Sequence, residues 1–509
     1  MTAWVSNLPL PVNLRRLFPQ ASYVGCVDIH VTSATDRSRD CQPQGLFAAI
    51  RGTSQDGCQF IAEALQHGAA ALLVDRPLAD VTVPQCVVPD VRRAYAQLCS
   101  ALMADPSRRL GVAGVTGTNG KTTTTWLIRS ILQGADRQTG LLGTIDYCDG
   151  QRTEPSRLTT PDSSTLARWL AAMIANGATH ATLELSSHAL DQRRSAGVAL
   201  DAAIITNITQ DHFDYHHDFE AYRLSKLRIL DHLKENGTAI INVDDPGSLS
   251  CLPHAPGKVL TFGLGQPADF TAHLLESNLR GTLFRLMHGE ESVLVRTPLI
   301  GRYNVSNCLA AAAAAWHLGI GLQEISRGIE ALHCVPGRME PVVGGQPFPV
   351  FVDYAHTEDA LRNAITALRP LTRGRILCVF GAGGDRDRTK RPLLGRAAAE
   401  ADLAVVTSDN PRSEDPQRII EEIVAGMAGR GRSPYIEPDR ERAIRWALQH
   451  AGAGDTVLIA GKGHETEQQT GSVRLHFDDR EVARACLDDR YPAHAGPHPH
   501  LIPHNSLVV

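Results

Sequence analysis

The sequence predicts an α/β protein of about three domains, and three observations support this prediction. The chain has 509 residues, a length that suits about three domains of ordinary size. An apolar run at residues 112–115 leads into a glycine-rich turn and a helix-forming stretch, which is typical of a strand followed by a helix. After residue 337, four more short apolar runs alternate with helical stretches, a pattern that predicts a parallel sheet covered by helices.

The composition is that of an ordinary globular protein. Hydrophobic residues make up 43% and charged residues 21% of the chain, which is enough to bury a core. The net charge of −5 and the lack of a basic stripe argue against nucleic acid as a partner. No apolar run predicts a membrane span, and the first residues lack the features of a signal peptide. Eleven scattered cysteines, with no Cys-x-x-Cys pair, fit a reducing cytoplasm.

Residues 1–108 form the first predicted domain. A strand is expected at residues 70–74, after a helical stretch at 58–67, while residues 38–39 and 45–47 are expected on loops. These features indicate only a small α/β domain. Residues 105–109 are interpreted as a linker, because a proline after aspartate breaks a helix.

Residues 109–336 form the second predicted domain, which contains a phosphate-binding loop. The sequence Gly-Val-Thr-Gly-Thr-Asn-Gly-Lys-Thr at residues 114–122 has the spacing of that loop. Its glycines allow backbone N–H groups to surround phosphate oxygens, and the positive end of the following helix strengthens the site. Lys121 reaches the terminal phosphates, and the Thr122 hydroxyl can bind Mg²⁺. A glycine-rich turn without a ligand is the alternative, which the full spacing disfavours.

Polar residues follow two further strands of this domain. Glu184 ends a predicted strand at residues 182–185, where an acid beside a phosphate loop can hold Mg²⁺; the start of a helix is the equal alternative. After a strand at 202–206, the segment 207–216 contains two aspartates and two histidines, which suit either a second metal site or a solvated turn. Taken alone, Lys226 on the next helix is expected to face solvent.

Residues 337–490 form the third predicted domain. Its strands are expected at residues 349–353, 376–380, 403–407 and 456–460. Polar loops follow three of these strands, so we expect one shared site for an anionic or zwitterionic substrate at the carboxyl edge of the sheet. Residues 491–509 are rich in Pro, His and Gly, and we interpret them as a disordered tail rather than a metal site.

Taken in order, these segments resemble the Mur ligase family. The resemblance runs from about residue 24 to about residue 488 and is carried by residues 114–122, 184–188, 207–216, 301–307, 338, 353–356 and 409–412. It implies a UDP-binding N-terminal domain, a central ATPase-like doubly wound domain and a Rossmann-like C-terminal domain. It also implies an ATP-dependent amide ligase that acts as a monomer on small-molecule substrates.

The resemblance implies which substrates these are. They are ATP, a UDP-muramoyl dipeptide and an amino acid, which the Asp-Asn-Pro-Arg sequence at residues 409–412 suggests is meso-diaminopimelate; L-lysine is the alternative. Another amide ligase of this fold, such as a folylpolyglutamate synthase, is the nearest rival. A phosphate-loop kinase or a nucleotide-binding switch is a rival of another class.

Carried over residue by residue, the resemblance also implies the site. The ATP contacts are Gly117, Thr118, Asn119, Gly120, Lys121, Thr122, Thr123, Asn304, Asn307, Arg338 and Asp353. The contacts to the UDP-linked substrate are Ser38, Thr53, Ser54, Gln55, Thr159, Thr160, Ser186, Gln192 and Arg194. The amino-acid pocket consists of Arg386, Asp409, Asn410, Pro411, Arg412, Gly461 and Glu465. Two Mg²⁺ ions are implied, one on Thr122 and Glu184, the other on His212 and a carbamylated Lys226.

Four residues depart from the family pattern. Arg37, Gln44 and Leu158 stand where the family usually has an aspartate, a glycine and a polar contact residue, and Tyr303 replaces a phenylalanine or histidine. The first three lie in segments that the resemblance assigns to the uridine and sugar, so we expect these contacts to differ in detail.

Overall fold

The computed structural model describes residues 11–52, 55–429 and 433–491 and divides into two compact units. The first unit comprises residues 1–277 and 281–333, and the second comprises residues 278–280 and those from 334 onward. The boundary expected at residue 108 lies inside the first unit, so the division of residues 1–336 into two domains stays a prediction. Thr53, Ser54 and the expected tail after Tyr491 lie outside the described residues.

The first unit begins with a small five-stranded sheet. Its strands and helices, with one short strand pair beside them, are β1 (Val12–Asn13), α1 (Leu14–Leu17), β2 (Ser22–Val24), β3 (His30–Val31), β4 (Ser33–Thr35), β5 (Gly45–Ala48), α2 (Ile61–Gln66), β6 (Ala69–Val74), β7 (Gln85–Val87) and α3 (Val91–Leu102). The sheet order is β2-β7-β6-β5-β4, and all pairs except β2–β7 are parallel. The predicted strand at residues 70–74 is confirmed as β6.

The prediction of a loop at residues 45–47 is wrong. These residues belong to β5, which pairs with β4 on one side and β6 on the other. Leu46 packs into one hydrophobic core and Phe47 into another, so both faces of the strand are buried. A short strand that is buried on both faces lacks the alternation of polar and apolar residues that identifies strands in a sequence.

The rest of the first unit surrounds an eleven-stranded sheet. Its elements are β8 (Gly111–Thr116), α4 (Lys121–Gly134), β9 (Thr139–Leu142), β10 (Asp146–Cys148), β11 (Thr153–Pro155), α5 (Ser163–Ala175), β12 (His180–Glu184), α6 (Ser187–Asp191), β13 (Leu200–Ile205), α7 (Phe213–His216), α8 (Phe219–Leu227), β14 (Leu233–Asn242), α9 (Pro246–Leu249), β15 (Lys258–Gly263), β16 (Phe270–Asn278), β17 (Gly281–His288), β18 (Glu291–Thr297), α10 (Arg302–His317) and α11 (Leu322–Ala331). The sheet order is β11-β10-β9-β12-β8-β13-β14-β15-β16-β17-β18.

The centre of this sheet is parallel, as predicted. Strands β9, β12, β8, β13 and β14 run side by side in one direction, and α4 and α10 pack together against it. Because β8 lies between β12 and β13, the loops after these strands meet at one edge of the sheet, where ligands bind in such folds. The segment at 105–109, interpreted as a linker, packs closely here: Ser107 is buried and its hydroxyl accepts a hydrogen bond from Ala199 N at 3.0 Å.

The second unit contains a six-stranded sheet and a separate hairpin. Its elements are β19 (Glu340–Pro341), β20 (Val350–Asp353), α12 (Glu358–Leu368), β21 (Ile376–Phe380), α13 (Lys390–Ala398), β22 (Leu403–Val406), α14 (Pro416–Ala425), β23 (Tyr435–Ile436), α15 (Arg440–His450), β24 (Thr456–Ala460), β25 (Glu467–Thr470), β26 (Val473–His476) and α16 (Asp479–Arg490). The order β19-β20-β24-β21-β22-β23 confirms the four predicted strands, which are parallel neighbours. Within the described ranges, no helix is both long and apolar enough to cross a membrane.

Candidate active site

The glycine-rich loop between β8 and α4 is closely packed at two of its glycines. A Cβ atom on Gly117 would lie 1.9 Å from Thr206 Oγ1, and one on Gly120 would lie 2.3 Å from Asn307 Oδ1. Gly120 also has a φ of 85°, which favours glycine. Any larger residue at either position would push the loop off its neighbours, so both glycines are required by the fold around them.

Lys121 begins α4 and folds its side chain back over the loop. Its ammonium nitrogen Nζ donates to the carbonyl oxygens of Gly117 and Thr118 at 2.8 and 2.9 Å. Thr118 is held in turn by the loop after β13, because its hydroxyl accepts from Thr209 N at 2.9 Å. The same loop also contacts Asn119, whose backbone N–H donates to Asn207 Oδ1 at 2.8 Å. The cation and the loop are therefore positioned together at the carboxyl end of β8.

Lys226 is buried, which corrects the solvent-facing position expected from its sequence context alone. The side chain is 1% exposed, and its Nζ donates to Gly117 O at 2.7 Å. Nζ also lies 4.6 Å from the centre of the Tyr222 ring. Burial, with a smaller contribution from the positive charge of Lys121, lowers the pKa of Lys226 well below its usual range.

Glu184, the last residue of β12, is buried beside the phosphate loop. Its carboxylate accepts from the Thr122 hydroxyl at 3.0 Å and from both the backbone N–H and the hydroxyl of Thr144 at 2.8 Å. The Thr144 hydroxyl is also 3.2 Å from that of Thr159. The sequence predicted Thr122, Thr159 and Glu184 as site residues, and the fold brings all three together through Thr144.

Four of the residues assigned to the UDP-linked substrate lie next to this acid. The Thr160 hydroxyl donates to Glu184 O at 2.7 Å and accepts from Ser186 N at 3.0 Å. Arg194 donates to Thr160 O at 3.3 Å and to Gln192 Oε1 at 2.6 Å. These hydrogen bonds link the end of β12 to the residues that follow α6.

Three histidines from the segments after β12 and β13 form a group. The ring of His188 lies 4.8 Å from that of His212 and 5.5 Å from that of His216, measured between ring centres. Burial lowers the pKa of His188 and, together with the neighbouring His188, lowers the pKa of His216 to about 4. The lowered pKa values favour the neutral imidazole, the form in which histidine binds metals.

Asn304 and Asn307, predicted nucleotide contacts, lie on α10 against the phosphate loop. Both are buried; Asn304 Nδ2 donates to Ile300 O at 2.8 Å, and Asn307 Nδ2 donates to Asn304 Oδ1 at 3.1 Å. Thr123 is buried in the first turn of α4. The two asparagines thus support Gly120, while a direct contact with nucleotide stays a prediction.

A cavity of about 870 Å³ lies along β4, within the first unit. Its lining includes Asp36, Arg37, Leu158, Asp162 and Trp169. Two residues that depart from the family pattern, Arg37 and Leu158, therefore face one space. This cavity is large enough for a nucleotide-sized ligand.

Two of the residues assigned to the UDP-linked substrate, Ser38 and Gln55, lie in the same part of the chain as β4 and β5 but do not line that cavity. The Ser38 hydroxyl is buried and donates to Glu63 Oε2 at 2.5 Å, while Gln55 is exposed and its carbonyl accepts from Gly52 N at 2.7 Å. Their contacts with substrate stay predictions.

The residues assigned to Mg²⁺ have the chemistry for that ion. Thr122 Oγ1 and Glu184 Oε2 are hard oxygen donors 3.0 Å apart. In the part of the chain that the structure describes, no three His, Cys, Asp or Glu side chains form a complete metal site. Few protein ligands are typical of Mg²⁺, which keeps several waters and binds substrate phosphates. Lys226 would need carbamylation to offer Mg²⁺ an oxygen ligand beside His212, because an amine has no oxygen donor.

In the second unit, Arg338 and Asp353 lie at the end of β20. The Asp353 carboxylate accepts from the backbone N–H groups of Met339 and Ala355 at 2.6 and 2.8 Å, and burial raises its pKa. The Arg338 guanidinium stacks 4.4 Å from the centre of the Tyr354 ring. Their role as nucleotide contacts stays a prediction.

The loops after β21, β22 and β24 meet, as the sequence predicted. Asn410 donates to Glu465 Oε2 at 2.8 Å, and Arg412 Nη1 donates to Gly384 O at 2.7 Å. A Cβ atom on Gly461 would lie 2.7 Å from Asp409 Oδ2. Arginine and glutamate side chains thus share one small region of the sheet edge.

The charges of this region are perturbed by burial. Burial and the neighbouring Asp409 raise the pKa of Glu465, while burial and the neighbouring Arg386 lower the pKa of Arg412. Arg386 itself is exposed and bonds to the carbonyl of Asp385. Pro411 is buried next to Arg412.

Three residues of these sites carried no sequence signal. Thr144, Tyr222 and Gln468 each contact a predicted site residue through packing between distant segments. None of them lies in a recognisable motif, so only the fold could identify them.

Comparison with known proteins identifies the family. The model of the Mur ligase middle domain matches residues 115–315, that of the Mur ligase glutamate ligase domain matches residues 337–463, and that of the Mur ligase family catalytic domain matches residues 30–104. The chain belongs to the Mur ligase family. It is therefore an ATP-dependent ligase that forms an amide bond.

Individual relatives of this Mur ligase cover nearly its whole length. It is 46% identical to the UDP-N-acetylmuramoyl-L-alanyl-D-glutamate–2,6-diaminopimelate ligase of Gloeobacter violaceus, over 91% of this chain and 95% of that protein. It is 44% identical to the Geobacillus thermodenitrificans protein of the same name, over 89% and 94% of the two chains. A solved structure of a ligase with this name has 33% identity, covers 95% of this chain and 100% of its own, and gives a TM-score of 0.68.

Proposed function

We propose that this Mur ligase adds meso-diaminopimelate to UDP-N-acetylmuramoyl-L-alanyl-D-glutamate, using ATP and passing through an acyl phosphate. The names of the relatives, which share 46% and 44% of their aligned residues with the chain, support these substrates. The reaction belongs to the synthesis of a peptidoglycan precursor, and we place it in the cytoplasm with the enzyme acting as a monomer.

The observation that supports the choice of amino acid is that Arg412 and Glu465 lie on two loops that Asn410 joins. The Asn410 amide bonds to Glu465 at 2.8 Å, and the guanidinium of Arg412 lies across the neighbouring loop at Gly384. A forked guanidinium suits a carboxylate, and Glu465 suits an ammonium group. The far end of meso-diaminopimelate carries both groups, whereas the far end of lysine carries only the ammonium.

The first unit supports the phosphoryl-transfer step. The D-glutamyl carboxylate attacks the γ-phosphorus of ATP, and the bond from this phosphorus to the β,γ-bridging oxygen breaks. ADP departs as the leaving group, and the other product is an acyl phosphate. Lys121, held at the loop by two backbone carbonyls, neutralises charge on the terminal phosphates as the second anion approaches. The protein accelerates this step mainly by positioning the reactants and by electrostatic stabilisation, because phosphoryl transfer needs no covalent bond to the protein.

The metal-binding residues assist the same step. Thr122 and Glu184 would hold one Mg²⁺, and His212 with carbamylated Lys226 a second; when bound, these ions offset the negative charge that accumulates between ATP and the carboxylate. Thr144 fixes both oxygens of Glu184, so this acid does not need to reorganise.

The second step forms the amide. The amine of meso-diaminopimelate attacks the acyl carbon, and the tetrahedral intermediate expels phosphate as the nitrogen loses its proton. Arg412 and Glu465 hold the far end of the substrate, so that binding orients the reacting amine. The phosphate made in the first step is the leaving group that a free carboxylate lacks.

ADP release with a panel of amino acids tests the proposal. We expect release that requires both the UDP-muramoyl dipeptide and meso-diaminopimelate, with a UDP-linked tripeptide as the product by mass spectrometry. Release with the dipeptide and lysine at an equal rate would contradict the choice of amino acid. Release without any amine would instead indicate a kinase or an NTPase, and release with folate-linked substrates would indicate a different amide ligase.

A further inference from the structure

The hairpin of β25 and β26 stands apart from the six-stranded sheet. Its two strands form a sheet of their own, and Val473 and Leu475 on the outer strand are more than half exposed. A two-stranded hairpin alone is marginally stable in water. The inner strand β25 must therefore gain its order from what it contacts.

Strand β25 lies along the loop that contains residues 409–412. Arg412 N donates to Gln469 O at 3.0 Å, and Gly471 N donates to Arg412 O at 2.6 Å. Arg412 also forms an isolated parallel bridge with Thr470. Both backbone polar groups of Arg412 are therefore used by the hairpin.

This pairing holds Arg412 in an unusual backbone conformation. Its φ is 52°, a left-handed value that costs a residue with a side chain and persists only where the surroundings impose it. The backbone φ of Arg412 sets the direction in which its side chain leaves the loop. In this direction the guanidinium reaches Gly384 O at 2.7 Å. The hairpin thus fixes where the cation lies.

The hairpin also fixes the neighbours of Arg412. Gln468 Nε2 donates to Asp409 O at 2.7 Å. Gln469 N donates to Asn410 Oδ1 at 2.9 Å, so that the other end of the same amide donates to Glu465. The orientation of the Asn410 amide, and through it the position of Glu465, therefore depends on β25.

Lys462 completes the arrangement from the other side. It is fully buried, and its Nζ donates to Glu467 O, the first residue of β25, at 2.6 Å and lies 3.4 Å from Glu465 Oε2. The cation for the substrate carboxylate and the anion for the substrate ammonium are thus both tied to one strand.

We propose that the hairpin at residues 467–476 sets the amino-acid specificity of the enzyme and that Gln468 is its positioning residue. This inference rests on the proposed function. The side chain of Gln468 bonds β25 to Asp409 at the start of the loop. The position of the hairpin therefore determines the distance between Arg412 and Glu465. A substrate that matches both groups is selected only while this distance is kept.

The test compares Gln468→Met with Gln417→Met. Gln417 is an exposed residue on α14 whose amide reaches only Glu421 on its own helix, at 3.5 Å. For Gln468→Met we expect KM for meso-diaminopimelate to rise about two- to tenfold, the effect of one lost hydrogen bond. Its preference over lysine should fall by a similar factor, while KM for ATP and for the UDP-linked dipeptide stays unchanged. Gln417→Met should behave like the unaltered enzyme.

Amide hydrogen exchange gives a second measurement that does not depend on turnover. The N–H groups of Arg412 and Gly471 should exchange slowly in the unaltered enzyme and at least several times faster in Gln468→Met. If Gln468→Met is poorly folded, Gln468→Glu replaces it, since a carboxylate has the same shape but cannot donate to Asp409 O.

The possible failures are distinguishable. An unaltered enzyme that releases no ADP with meso-diaminopimelate contradicts the proposed function, and the exchange experiment then decides on the hairpin alone. An enzyme that uses meso-diaminopimelate, with a Gln468→Met variant whose KM, selectivity and exchange match those of the unaltered chain, overturns the role of the hairpin.

Discussion

Lys226 and Lys121 donate to the same carbonyl oxygen. Their Nζ atoms lie 2.7 and 2.8 Å from Gly117 O, although one lysine ends α8 and the other begins α4. Two ammonium groups this close repel each other, and Lys226 is also buried, so its pKa is lowered. Lys226 therefore tends toward the neutral amine, the form that reacts with CO₂ to give a carbamate.

The first prediction concerns Lys226. Lys226→Ala should lower ligase turnover at least about a hundredfold, as the loss of one preorganised charged group does in other enzymes, and short added carboxylates should restore part of it. In the unaltered enzyme, ¹³C-labelled bicarbonate should give a carbamate NMR signal that Lys226→Ala lacks. The signal should weaken as the pH falls, because protonation removes the reactive amine. Lys258→Ala, at an exposed lysine, is the control. A fully active Lys226→Ala enzyme would show that turnover does not need the carbamate, and absence of the NMR signal from the unaltered enzyme would rule the carbamate out.

The second prediction concerns Tyr222, which joins α8 to the phosphate loop. Its hydroxyl lies 3.1 Å from Thr118 Oγ1, and its ring lies against Lys226. Tyr222→Phe should raise KM for ATP about two- to tenfold, the value of one hydrogen bond, without changing the affinity for the UDP-linked dipeptide.

Tyr222→Leu separates the ring from the hydroxyl. This variant should lose the carbamate signal as well, because the ring no longer supports Lys226. Identical steady-state constants and NMR spectra in the two variants and the unaltered enzyme would show that Tyr222 only fills space.

Some of these relationships were visible in the sequence and others were not. The phosphate loop could be predicted because its glycine spacing and its Lys-Thr pair lie within residues 114–122. Four strands of the six-stranded sheet could be predicted because each is a continuous apolar run. By contrast, β5 begins at Gly45 just after Pro43, and this sequence favours a turn.

The burial of Lys226 shows where sequence reasoning stops. A lysine on a helix is normally solvated, and only the loop and Tyr222, which come from distant segments, make this one different. Thr144 and Gln468 were missed for the same reason: each acts through a contact between segments far apart in the chain. Lys226 was assigned to the site only by the resemblance to the family, because the position of a residue in a family pattern reflects contacts made in the folded protein.

The third prediction separates the phosphate loop from the site for the UDP-linked substrate. Lys121→Ala and Thr122→Ala should reduce turnover by at least about a hundredfold. The affinity for the UDP-muramoyl dipeptide alone, measured by isothermal titration, should change by less than about twofold, which is less than the value of one hydrogen bond. Thr125→Ala, whose hydroxyl bonds within α4 to Thr122 O at 2.9 Å, is the matched control. Equal losses of binding and turnover would show that the two sites are not separate.

The fourth prediction concerns stability and pH. Glu414 follows the loop at 409–412 and accepts two hydrogen bonds from the buried Arg391, at 2.7 and 2.9 Å. This pairing lowers the pKa of Glu414 to about 2. Because the folded pKa lies below that of the unfolded chain, the stabilisation is complete above the unfolded pKa and is lost as the pH falls toward 2.

Thermal unfolding tests this sign directly. Glu414→Gln should lower the unfolding temperature of the second unit at pH 7, and the difference from the unaltered chain should shrink between about pH 4.5 and pH 2. Glu421→Gln on the following helix α14, an exposed acid, should leave the temperature unchanged. A difference that stays constant down to pH 2 would mean that charge on Glu414 contributes nothing.

The last prediction concerns Arg412 and the choice between two amino acids. The two substrates differ by one carboxylate at the far end of the side chain, and we propose that the half-buried guanidinium of Arg412 binds it. Lysine would leave that cation without a carboxylate, and an uncompensated charge of this kind costs about 2–5 kcal/mol. Since about 1.4 kcal/mol corresponds to a factor of ten, the unaltered enzyme should prefer meso-diaminopimelate by at least about thirtyfold in kcat/KM. Arg412→Ala should lower kcat/KM for meso-diaminopimelate by a similar factor without creating good activity with lysine, while Arg418→Ala, an exposed arginine on α14, should change neither value. Comparable kcat/KM values for the two amino acids on the unaltered enzyme would show that Arg412 holds its loop through Gly384 and does not read the second carboxylate.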